Sequence, residues 1–408
     1  MVHVENSIKN ILESSGPRKM RILWLSSLVF GYDTVISRTE MVKHLYQLNV
    51  EAYLFAISSR INHKEKSDKH FILFPMKFTP IITQLLYNLA LFFSIPFYMV
   101  KKKANFIIID QGTAIIGFIL KIILPKAKFK VVLDIRSTPL KSWRSGEKGE
   151  FNEKSNAFLF SLSLILARKF DGITIVTELM KKEVCDRFSI NPNFVGVWTS
   201  GVSTSIFNPR EFNGEKIKKR LGLSEKFVIF YHGSLRPHGL VETFKALKLL
   251  SSKQQDLILF LLSNRPTFVS FWTDLANELG IPNNVIFRGK VPYADVPKYI
   301  AMSDLPIVPL PYSSNWRNQS PLKLLEYLAM EKVVVLTDIP ANREIVGKSK
   351  SGIYISSTAP EEIAEAIAYA YRNRGSLSKW GTFGRAIIQD KYTWEKIAKE
   401  FKNYLLRL

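Results

Sequence analysis

Ten short apolar runs, rich in β-branched and aliphatic residues, recur along the 408-residue chain, and segments of helix length separate most of them. The runs cover residues 21–27, 52–57, 105–110, 131–136 and 172–178, and then 227–233, 257–264, 284–289, 333–338 and 352–356. They are apolar at consecutive positions rather than at alternate ones, which is typical of strands buried on both faces. Strands of this kind alternating with helices predict parallel sheets covered by helices, that is, an α/β fold.

The alternation of runs and helical segments is interrupted once, between residues 207 and 224. This stretch is polar, contains Pro209 and Gly214, and lacks the pattern of a strand, as linkers between domains do. A length of 408 residues is also typical of two domains rather than one. We therefore predict an N-terminal domain over residues 1–207 and a C-terminal domain over residues 208–388.

Charge and cysteine content restrict the partners and the compartment of the chain. The sequence has 57 Lys and Arg against 35 Asp and Glu, a formal net charge of +22, and both halves are basic. Such an excess suits nucleic acid, an anionic membrane or a phosphate-bearing substrate. The single cysteine, Cys185, cannot form a disulfide within the chain, and the polar first twenty residues do not resemble a signal peptide. We therefore expect a cytoplasmic protein.

Several common catalytic motifs are missing from the sequence. The first apolar run is not followed by a Gly-x-Gly-x-x-Gly loop, and there is no Gly-x-Ser-x-Gly, His-Glu-x-x-His or Cys-x-x-Cys pattern. Gly347-Lys348-Ser349 resembles the end of a P-loop, but Asn342 stands where the first glycine is required. The six histidines show no metal-ligand spacing. We therefore expect no dinucleotide cofactor and no metal held by the protein.

Two long segments of the second half carry a resemblance to a known family. They are VIFRGKVPYADVPKYIAMSDLPIVPLPYS (285–313) and NQSPLKLLEYLAMEKVVVLTDIPANREIV (318–346), which give a strand ending in Gly, a polar helix, Asp-x-x-x-x-Pro, a helix with a Glu in its second turn and a further strand. Together with residues 200–209, 230–247 and 392–398, they resemble the retaining glycosyltransferases of family 4, also called glycosyltransferase group 1.

The resemblance implies a fold and a class of substrate. The fold is GT-B, with two Rossmann-like domains whose parallel sheets face each other across a cleft, and with a terminal helix (389–408) that packs back on the N-terminal domain. The C-terminal domain would bind a nucleotide-diphosphate sugar, which is a substrate rather than a cofactor. The family is generally independent of metal ions.

The residues that begin the helix after position 320 suit a diphosphate on physical grounds. Ser320 is a favoured N-cap and Pro321 a favoured first helical residue, so free N–H groups should point outward there. Lys323 adds a full positive charge to this anion site. Glu326 lies in the second turn, and the matching Glu of the family holds the ribose of the nucleotide. The alternative is an ordinary capped helix with a solvated Glu–Lys face.

Two parts of the donor site depart from the family pattern. Asn318 stands where the family often has a Glu that contacts the transferred sugar, and His238 stands where it has Lys or Arg in the phosphate loop. Arg236 is the fixed charge left in that loop, so we predict that Arg236 and Lys323 stabilise the leaving diphosphate. The donor-binding residues implied by the resemblance are Gly31, Gly233, Ser234, His238, Gly239, Lys290, Val291, Asn318, Gln319, Ser320, Pro321 and Glu326.

In the N-terminal half, the segment VVLDIRSTPLKSW (131–143) resembles the version of the family's central strand that ends in Asp-Ile-Arg. Asp134 and Arg136 would then lie at the carboxyl end of a parallel strand, where open sheets bind ligands. We predict that the two side chains take part in catalysis. The alternative is a structural ion pair. Gly31 alone remains of the family's Gly-rich loop after the first strand.

Residues 81–100 contain no charge and are followed by Lys101, Lys102 and Lys103. Three interpretations are open: a buried helix that connects two strands, a helix that lies on a membrane, or a helix that spans it. Further lysines follow at positions 121, 126, 128 and 130. Because basic residues are attracted to anionic lipids, we predict peripheral contact with the inner face of the cell membrane.

The sequence as a whole therefore predicts a retaining glycosyltransferase that transfers a sugar from a nucleotide-diphosphate donor to a lipid-linked or glycan acceptor, and it makes nucleic acid an unlikely partner. The main alternative is a GT-B subunit that binds without turnover, which Asn318, Ser234 and His238 favour. An epimerase of the same architecture would need more carboxylates and histidines in the cleft than the sequence offers.

Overall fold

The computed structural model describes residues 19–30, 36–58, 69–76, 78–125, 128–137, 147–235, 237, 239–263, 269–313 and 316–408. The chain divides into two compact units, one formed by Met1–Thr199 with Trp394–Leu408 and the other by Ser200–Thr393. The division thus falls after Thr199 rather than after residue 207, and the part of the chain that returns to the first unit begins at Trp394 rather than at residue 389.

The first unit contains a parallel sheet of seven strands in the order β3-β2-β1-β4-β5-β6-β7. The strands are β1 (Arg21–Val29), β2 (Glu51–Ser58), β3 (Phe71–Pro75), β4 (Phe106–Ile109), β5 (Lys130–Ile135), β6 (Gly172–Ile175) and β7 (Val195–Val197). The helices between them are α1 (Ile36–Gln47), α2 (Pro80–Lys102), α3 (Ala114–Ile123), α4 (Glu147–Leu166) and α5 (Glu178–Phe188).

The second unit contains a parallel sheet of six strands in the order β10-β9-β8-β11-β12-β13. The strands are β8 (Phe227–Gly233), β9 (Leu257–Ser263), β10 (Val285–Arg288), β11 (Leu305–Val308), β12 (Val334–Thr337) and β13 (Gly352–Ile355). The helices are α6 (Gly214–Arg220), α7 (Leu240–Ser251), α8 (Val269–Glu278), α9 (Val296–Met302), α10 (Leu322–Ala329), α11 (Pro340–Val346), α12 (Pro360–Arg372) and α13 (Arg374–Lys391).

Burial on both faces explains why these runs form parallel sheets. All ten predicted runs are strands, and strands with a neighbour on each side are buried along almost their whole length, as in β2 and β9. One face of the first sheet packs on α2 through Tyr87, Leu91 and Ile95, all fully buried. Each fully buried side chain of this size contributes about 1.5–3 kcal/mol through the hydrophobic effect. The predicted α/β class with two Rossmann-like parallel sheets is confirmed.

The last helix, α14 (Trp394–Arg407), completes the first unit. Its Phe401 packs in a buried aromatic cluster with Trp24 of β1 and Trp198, with ring centroids 5.4–5.7 Å apart. The Tyr404 hydroxyl lies 2.9 Å from the carbonyl oxygen of Ile173 in β6. The helix therefore contributes to the core of a unit whose other elements all precede Ser200.

The two ends of the second unit meet within that unit. The backbone N–H of Val202, near its start, donates to the carbonyl oxygen of Tyr392, near its end, at 2.9 Å. Val202 and Thr393 also form an isolated parallel bridge. The second unit is thus one continuous segment whose entrance and exit are hydrogen-bonded to each other.

Two glycines of α13 provide a matched test of packing in the second unit. A Cβ atom on Gly381 would lie 1.8 Å from the carbonyl oxygen of Glu331, which is backbone and cannot turn aside. We expect Gly381→Ala to lower the free energy of unfolding by about 3 kcal/mol, because the helix must move outward. Gly375→Ala is the control, since a Cβ there meets no described atom within 4 Å, and it should be neutral or slightly stabilising. Urea unfolding measures both variants, and equal midpoints would contradict the close approach.

Candidate active site

The strand order of the second sheet reverses at its centre. β8 pairs with β11 on one side and with β9 on the other, so successive strands are added outward in opposite directions from β8 and β11. In open parallel sheets, ligands bind in the crevice that such a reversal opens beyond the carboxyl ends of the strands. β8 ends at this point with His232 and Gly233. The surroundings of these two residues are therefore the candidate site of the second unit.

The start of α10 lies in this region and differs in detail from the prediction. Pro321, not Ser320, is the N-cap residue, and within the described part of the chain no side chain makes a capping hydrogen bond there. The Ser320 hydroxyl oxygen instead accepts a hydrogen bond from the backbone N–H of Ser200, at 3.2 Å. The first N–H groups of α10 thus lack a side-chain cap among the described residues, which is the arrangement of helix N-termini that bind anions.

Lys323 adds a positive charge beside the end of β8. Its Nζ lies 3.9 Å from the centroid of the Tyr231 ring, a cation–π contact that directs the side chain toward this strand. A Cβ atom on Gly233 would lie only 3.8 Å from the same Nζ, so the ammonium group and the glycine backbone are neighbours. Gly233 also has a φ of +102°, a conformation that favours glycine. The structure therefore brings together two of the predicted residues, Gly233 and Lys323.

Glu326 is buried one turn further along α10 and is held by two donors. Its Oε2 lies 2.8 Å from Nε2 of His232, and its Oε1 accepts a hydrogen bond from the Tyr293 hydroxyl at 2.7 Å. A carboxylate has about four acceptor positions, so each oxygen keeps capacity for one further donor. The side chain is thus fixed in orientation and can still bind hydroxyl groups. His232 and Tyr293 were not among the predicted site residues.

The other side of His232 is fixed by Tyr327, which is fully buried. The Tyr327 hydroxyl oxygen accepts from the backbone N–H of His232 at 3.2 Å and lies 2.9 Å from Nδ1 of the same residue. Burial raises the pKa of Tyr327 well above its ordinary value, so the phenol stays protonated and can donate to Nδ1. The proton of a neutral His232 then lies on Nε2 and is donated to Glu326. Tyr293, Glu326, His232 and Tyr327 form one continuous hydrogen-bonded chain, which we call the Glu326 clamp.

Gly239 positions the loop that follows β8. Its φ is +71°, and a Cβ atom would lie 1.6 Å from the carbonyl oxygen of Pro309, just after β11. Only glycine lets the start of α7 approach the end of β11 so closely. Ser234 lies in the same loop, and its carbonyl oxygen accepts a 3.4 Å hydrogen bond from the Tyr231 hydroxyl. The predictions for Arg236, His238 and Gly31 fall outside the described residues.

The remaining predicted donor-binding residues lie on two loops of the second unit. Lys290 is exposed and Val291 half-buried, directly after the edge strand β10, and Tyr293 two residues later reaches Glu326. Asn318 is buried and Gln319 half-buried in the turn before α10. Contact through Tyr293 thus connects the loop after β10 to the Glu326 clamp, a connection that the local sequence does not reveal.

Asp134 of the first unit does not have the geometry of a catalytic residue, and that prediction is corrected. Its side chain is fully buried: Oδ2 accepts from Nε of Arg38 at 3.2 Å, and Oδ1 from Trp198 Nε1 and Thr174 Oγ1 at 3.0 Å each. The carboxylate lies within β5 and is turned toward α1 rather than past the end of the strand. We therefore assign Asp134 to the positioning of Arg38 and Trp198.

Arg136, two residues later, lies beyond the end of β5. Its guanidinium carbon is 3.6 Å from the centroid of the Trp198 ring, and Nη1 donates to the Trp198 carbonyl oxygen. Removal from solvent lowers the pKa of Arg136 to about 10, so the group remains charged at neutral pH. The predicted alternative was an ion pair between Asp134 and Arg136. In the structure, Asp134 instead pairs with Arg38, and Arg136 packs on Trp198.

Arg38 and Asp110 form a buried polar cluster that was not predicted from the sequence. Arg38 is buried on α1 and donates to Asp134 and, through Nη1, to Asp110 Oδ2 at 3.1 Å. Asp110 directly follows β4 and also accepts from the backbone N–H of Ser27 at 2.7 Å. Strand order reverses between β1 and β4 as it does between β8 and β11. Asp110 could have been predicted, because it is a carboxylate at the end of the apolar run 105–110. No local pattern in the sequence indicated Arg38.

Comparison with known sequences shows what the second unit is similar to. Residues 213–387 match the family described as "Glycosyl transferases group 1". An uncharacterized glycosyltransferase of Methanocaldococcus jannaschii is 25% identical over 247 residues, which are 57% of this chain and 58% of that protein. The GDP-mannose-dependent alpha-(1-6)-phosphatidylinositol monomannoside mannosyltransferase of Mycobacterium tuberculosis is 22% identical over 208 residues, 50% of this chain and 54% of that protein. These matches span less than two thirds of either relative.

A solved structure resembles the chain over nearly its whole length. The crystal structure of Anabaena HepE in complex with UDP and glucose matches with a TM-score of 0.74 and 15% identity, covering 95% of this chain and 100% of that one. At this level of identity the likeness establishes the fold alone.

Removal of one donor tests the Glu326 clamp. Tyr293→Phe deletes the hydroxyl that donates to Oε1, and we expect it to lower the free energy of unfolding by about 2 kcal/mol, the value of a hydrogen bond to a charged group. In a Glu326→Gln background, Tyr293→Phe should lower the free energy of unfolding by less than about 1 kcal/mol, because the acceptor no longer carries the carboxylate charge. The double-mutant cycle is measured by urea unfolding. Tyr312→Phe, with an exposed ring, is the neutral control, and equal costs in both backgrounds would contradict the clamp.

Proposed function

We propose that the protein is a glycosyltransferase, because residues 213–387 match the glycosyl transferases group 1 family and the chain has the GT-B fold of its structural neighbours. It transfers a sugar from a nucleotide-diphosphate donor to an acceptor hydroxyl. The observation that carries the proposal is the arrangement at the start of α10, where Gly233, Lys323 and Glu326 meet beside the end of β8.

The diphosphate of the donor would bind at the N-terminus of α10. The backbone N–H groups there, the positive end of the helix dipole and the Lys323 ammonium group all favour an anion. Gly233 has no side chain, so phosphate oxygens can approach its backbone closely. Negative charge develops on the leaving diphosphate as the glycosidic bond breaks, and one preorganised donor at such a point is worth about 3 kcal/mol in the transition state.

Glu326 would bind the ribose. Two vicinal hydroxyls can donate to the acceptor positions that Tyr293 and His232 leave on the carboxylate. The clamp fixes the side chain before the donor arrives, which reduces the entropic cost of binding. A similar role of the matching Glu in the family supports this assignment. The nucleobase would then lie toward Lys290 and Val291, on the loop that Tyr293 connects to Glu326.

We further propose that transfer retains the anomeric configuration and needs no metal ion. Support comes from Lys323 and the α10 N-terminus, which together supply positive charge at the leaving group, and from the resemblance of residues 285–313 and 318–346 to a family of retaining enzymes that are generally independent of metal ions. In retention without an enzyme nucleophile, the bond from the anomeric carbon to the diphosphate breaks, the acceptor oxygen bonds to that carbon from the same side, and the acceptor proton passes to an oxygen of the leaving diphosphate.

We propose a lipid-linked or glycan acceptor and a location at the cytoplasmic face of the membrane. The Mycobacterium tuberculosis relative is named for a phosphatidylinositol-based acceptor, which supports the lipid option. A GT-B subunit that binds without turnover is the second candidate, and the observation that favours it is the buried Asn318, an uncharged residue where the family often has a Glu.

Turnover of the donor tests the proposed role of Glu326. The protein is incubated with UDP-glucose or GDP-mannose, and the released nucleoside diphosphate is measured. Loss of a charged acceptor should reduce kcat/KM of Glu326→Gln by about 10- to 100-fold, while Glu365→Gln, an exposed change on α12, keeps the wild-type value. Wild-type turnover in Glu326→Gln would remove Glu326 from the site. No release with any of a wider panel of donors and lipid acceptors would favour the non-catalytic subunit.

The stereochemical proposal has its own measurement. Proton NMR in the first minutes of donor hydrolysis, before mutarotation, should show the released sugar with the same anomeric configuration as the donor. Chelation of divalent ions with EDTA should leave the rate unchanged. The opposite anomer would refute retention, and a rate that falls with EDTA and recovers with added metal would refute metal independence.

A further inference from the structure

Helix α2 of the first unit has two apolar faces, and only one of them is buried. Tyr87, Leu91 and Ile95 face the core of the unit at intervals of four residues. The opposite side carries exposed large apolar side chains at the same interval, with Leu85 65% and Phe93 70% accessible to solvent. The full exposed set on this helix is Ile81, Ile82, Leu85, Leu86, Leu89, Phe93 and Phe97. Solvated faces of soluble helices are normally polar, so this face needs a partner.

The exposed apolar surface continues onto two neighbouring helices. α2 contacts α3, and α3 contacts α4. The exposed side chains there are Ile115, Ile122 and Ile123 on α3, and Phe158, Leu159 and Ile165 on α4. Together with α2, these helices hold 13 of the 22 exposed large apolar side chains of the described residues. We call the exposed apolar side chains of these three neighbouring helices the apolar face; their number exceeds the scattered exposure that is normal for a soluble protein.

The charged residues of α2 and α3 are all lysines. The sequence has no Asp or Glu from residue 81 to residue 109, and none in α3. Lys101 and Lys103 are exposed at the C-terminal end of α2, and Lys128 is exposed shortly after α3. Nζ of Lys101 lies 5.3 Å from the centroid of the Phe97 ring, so positive charge directly adjoins the apolar surface. A partner that is apolar inside and anionic at its surface complements this arrangement.

The buried face of α2 determines whether the helix can cross a membrane or only contact its surface. α2 is the one described helix that is long and apolar enough to cross a membrane. However, it connects β3 to β4, and Tyr87, Leu91 and Ile95 are fully buried against the sheet. Insertion across a bilayer would strip these contacts from the core. The helix therefore stays packed on the sheet, and only its outer side is available for contact with a membrane.

We propose that the apolar face docks on the surface of a bilayer that contains anionic phospholipids. α2 lies along the membrane plane, its outer side chains reach the boundary between headgroups and acyl chains, and Lys101 and Lys103 contact lipid phosphates. This deepens the membrane location proposed above by identifying the contacting surface. It requires neither donor nor acceptor, so its test is separate from that of glycosyl transfer.

Flotation of the full chain with vesicles tests the docking. Vesicles of phosphatidylcholine with 30% phosphatidylglycerol (a chosen composition, about one anionic lipid in three) are compared with pure phosphatidylcholine. We expect binding to the anionic vesicles that weakens as salt is raised but does not vanish, because the apolar part is not screened. No binding to anionic vesicles at low salt would overturn the proposal.

Single exposed substitutions assign the binding to the apolar face. Leu85→Gln and Phe93→Gln should each weaken binding to anionic vesicles by roughly tenfold or more, because each removes a large apolar side chain from the contact. Phe383→Gln, on α13 in the second unit, replaces an equally large exposed ring and should bind as the wild type does. Lys101→Gln with Lys103→Gln should remove the preference for anionic lipid. Circular dichroism confirms that each variant is folded.

The contrary outcomes are distinct. If Leu85→Gln and Phe93→Gln bind vesicles like the wild type, the apolar face is not the docking surface. If the wild type forms dimers in analytical ultracentrifugation that these substitutions dissociate, and vesicles are not bound, the face is covered by a second copy of the chain. Nucleoside diphosphate release measured in solution separates the two proposals, since the α2 variants should retain it at the wild-type rate.

Discussion

The pairing of β8 with β11 is the contact on which the second unit depends. Because successive strands are added in opposite directions from this pair, a crevice opens beyond the two strand ends, and helices α7 and α10 begin beside it. The start of α7 lies so close to the end of β11 that a side chain at Gly239 would collide with the carbonyl oxygen of Pro309. The backbone at this point therefore sets the distance between the start of α7 and the end of β11, and Lys323 and Glu326 lie on the helix that begins on the other side of the crevice.

Consecutive burial is a local signal, and the sequence predicts strands well where that signal is strong. All ten predicted runs are strands in the structure. Three further strands were missed for identifiable reasons. β11 is central to its sheet but has only four residues, and Pro306 argues against a central strand because it cannot donate a ladder hydrogen bond. β7 has three residues, and β3 is an edge strand that ends at Pro75.

The site was predictable only in part, because its partners are distant in sequence. Glu326, Lys323 and Gly233 were predicted from local patterns, and the structure places them around the end of β8. His232 and Tyr293 were not, since their contacts with Glu326 join residues 94 and 33 positions apart. Asp134 shows the opposite error. Its position near a strand end indicated catalysis, but the direction of its side chain is decided by Arg38 on another element, which no local pattern reports.

The return of α14 to the first unit has a consequence for the order of synthesis. The second unit is a single continuous segment whose ends are joined through Val202 and Tyr392, so it can fold as soon as that segment has left the ribosome. The first unit cannot be completed then, because Trp24 and Trp198 still lack Phe401. The unit that contains the earlier of the two sheets is thus completed after the other unit, with Trp24 and Trp198 uncovered until α14 emerges.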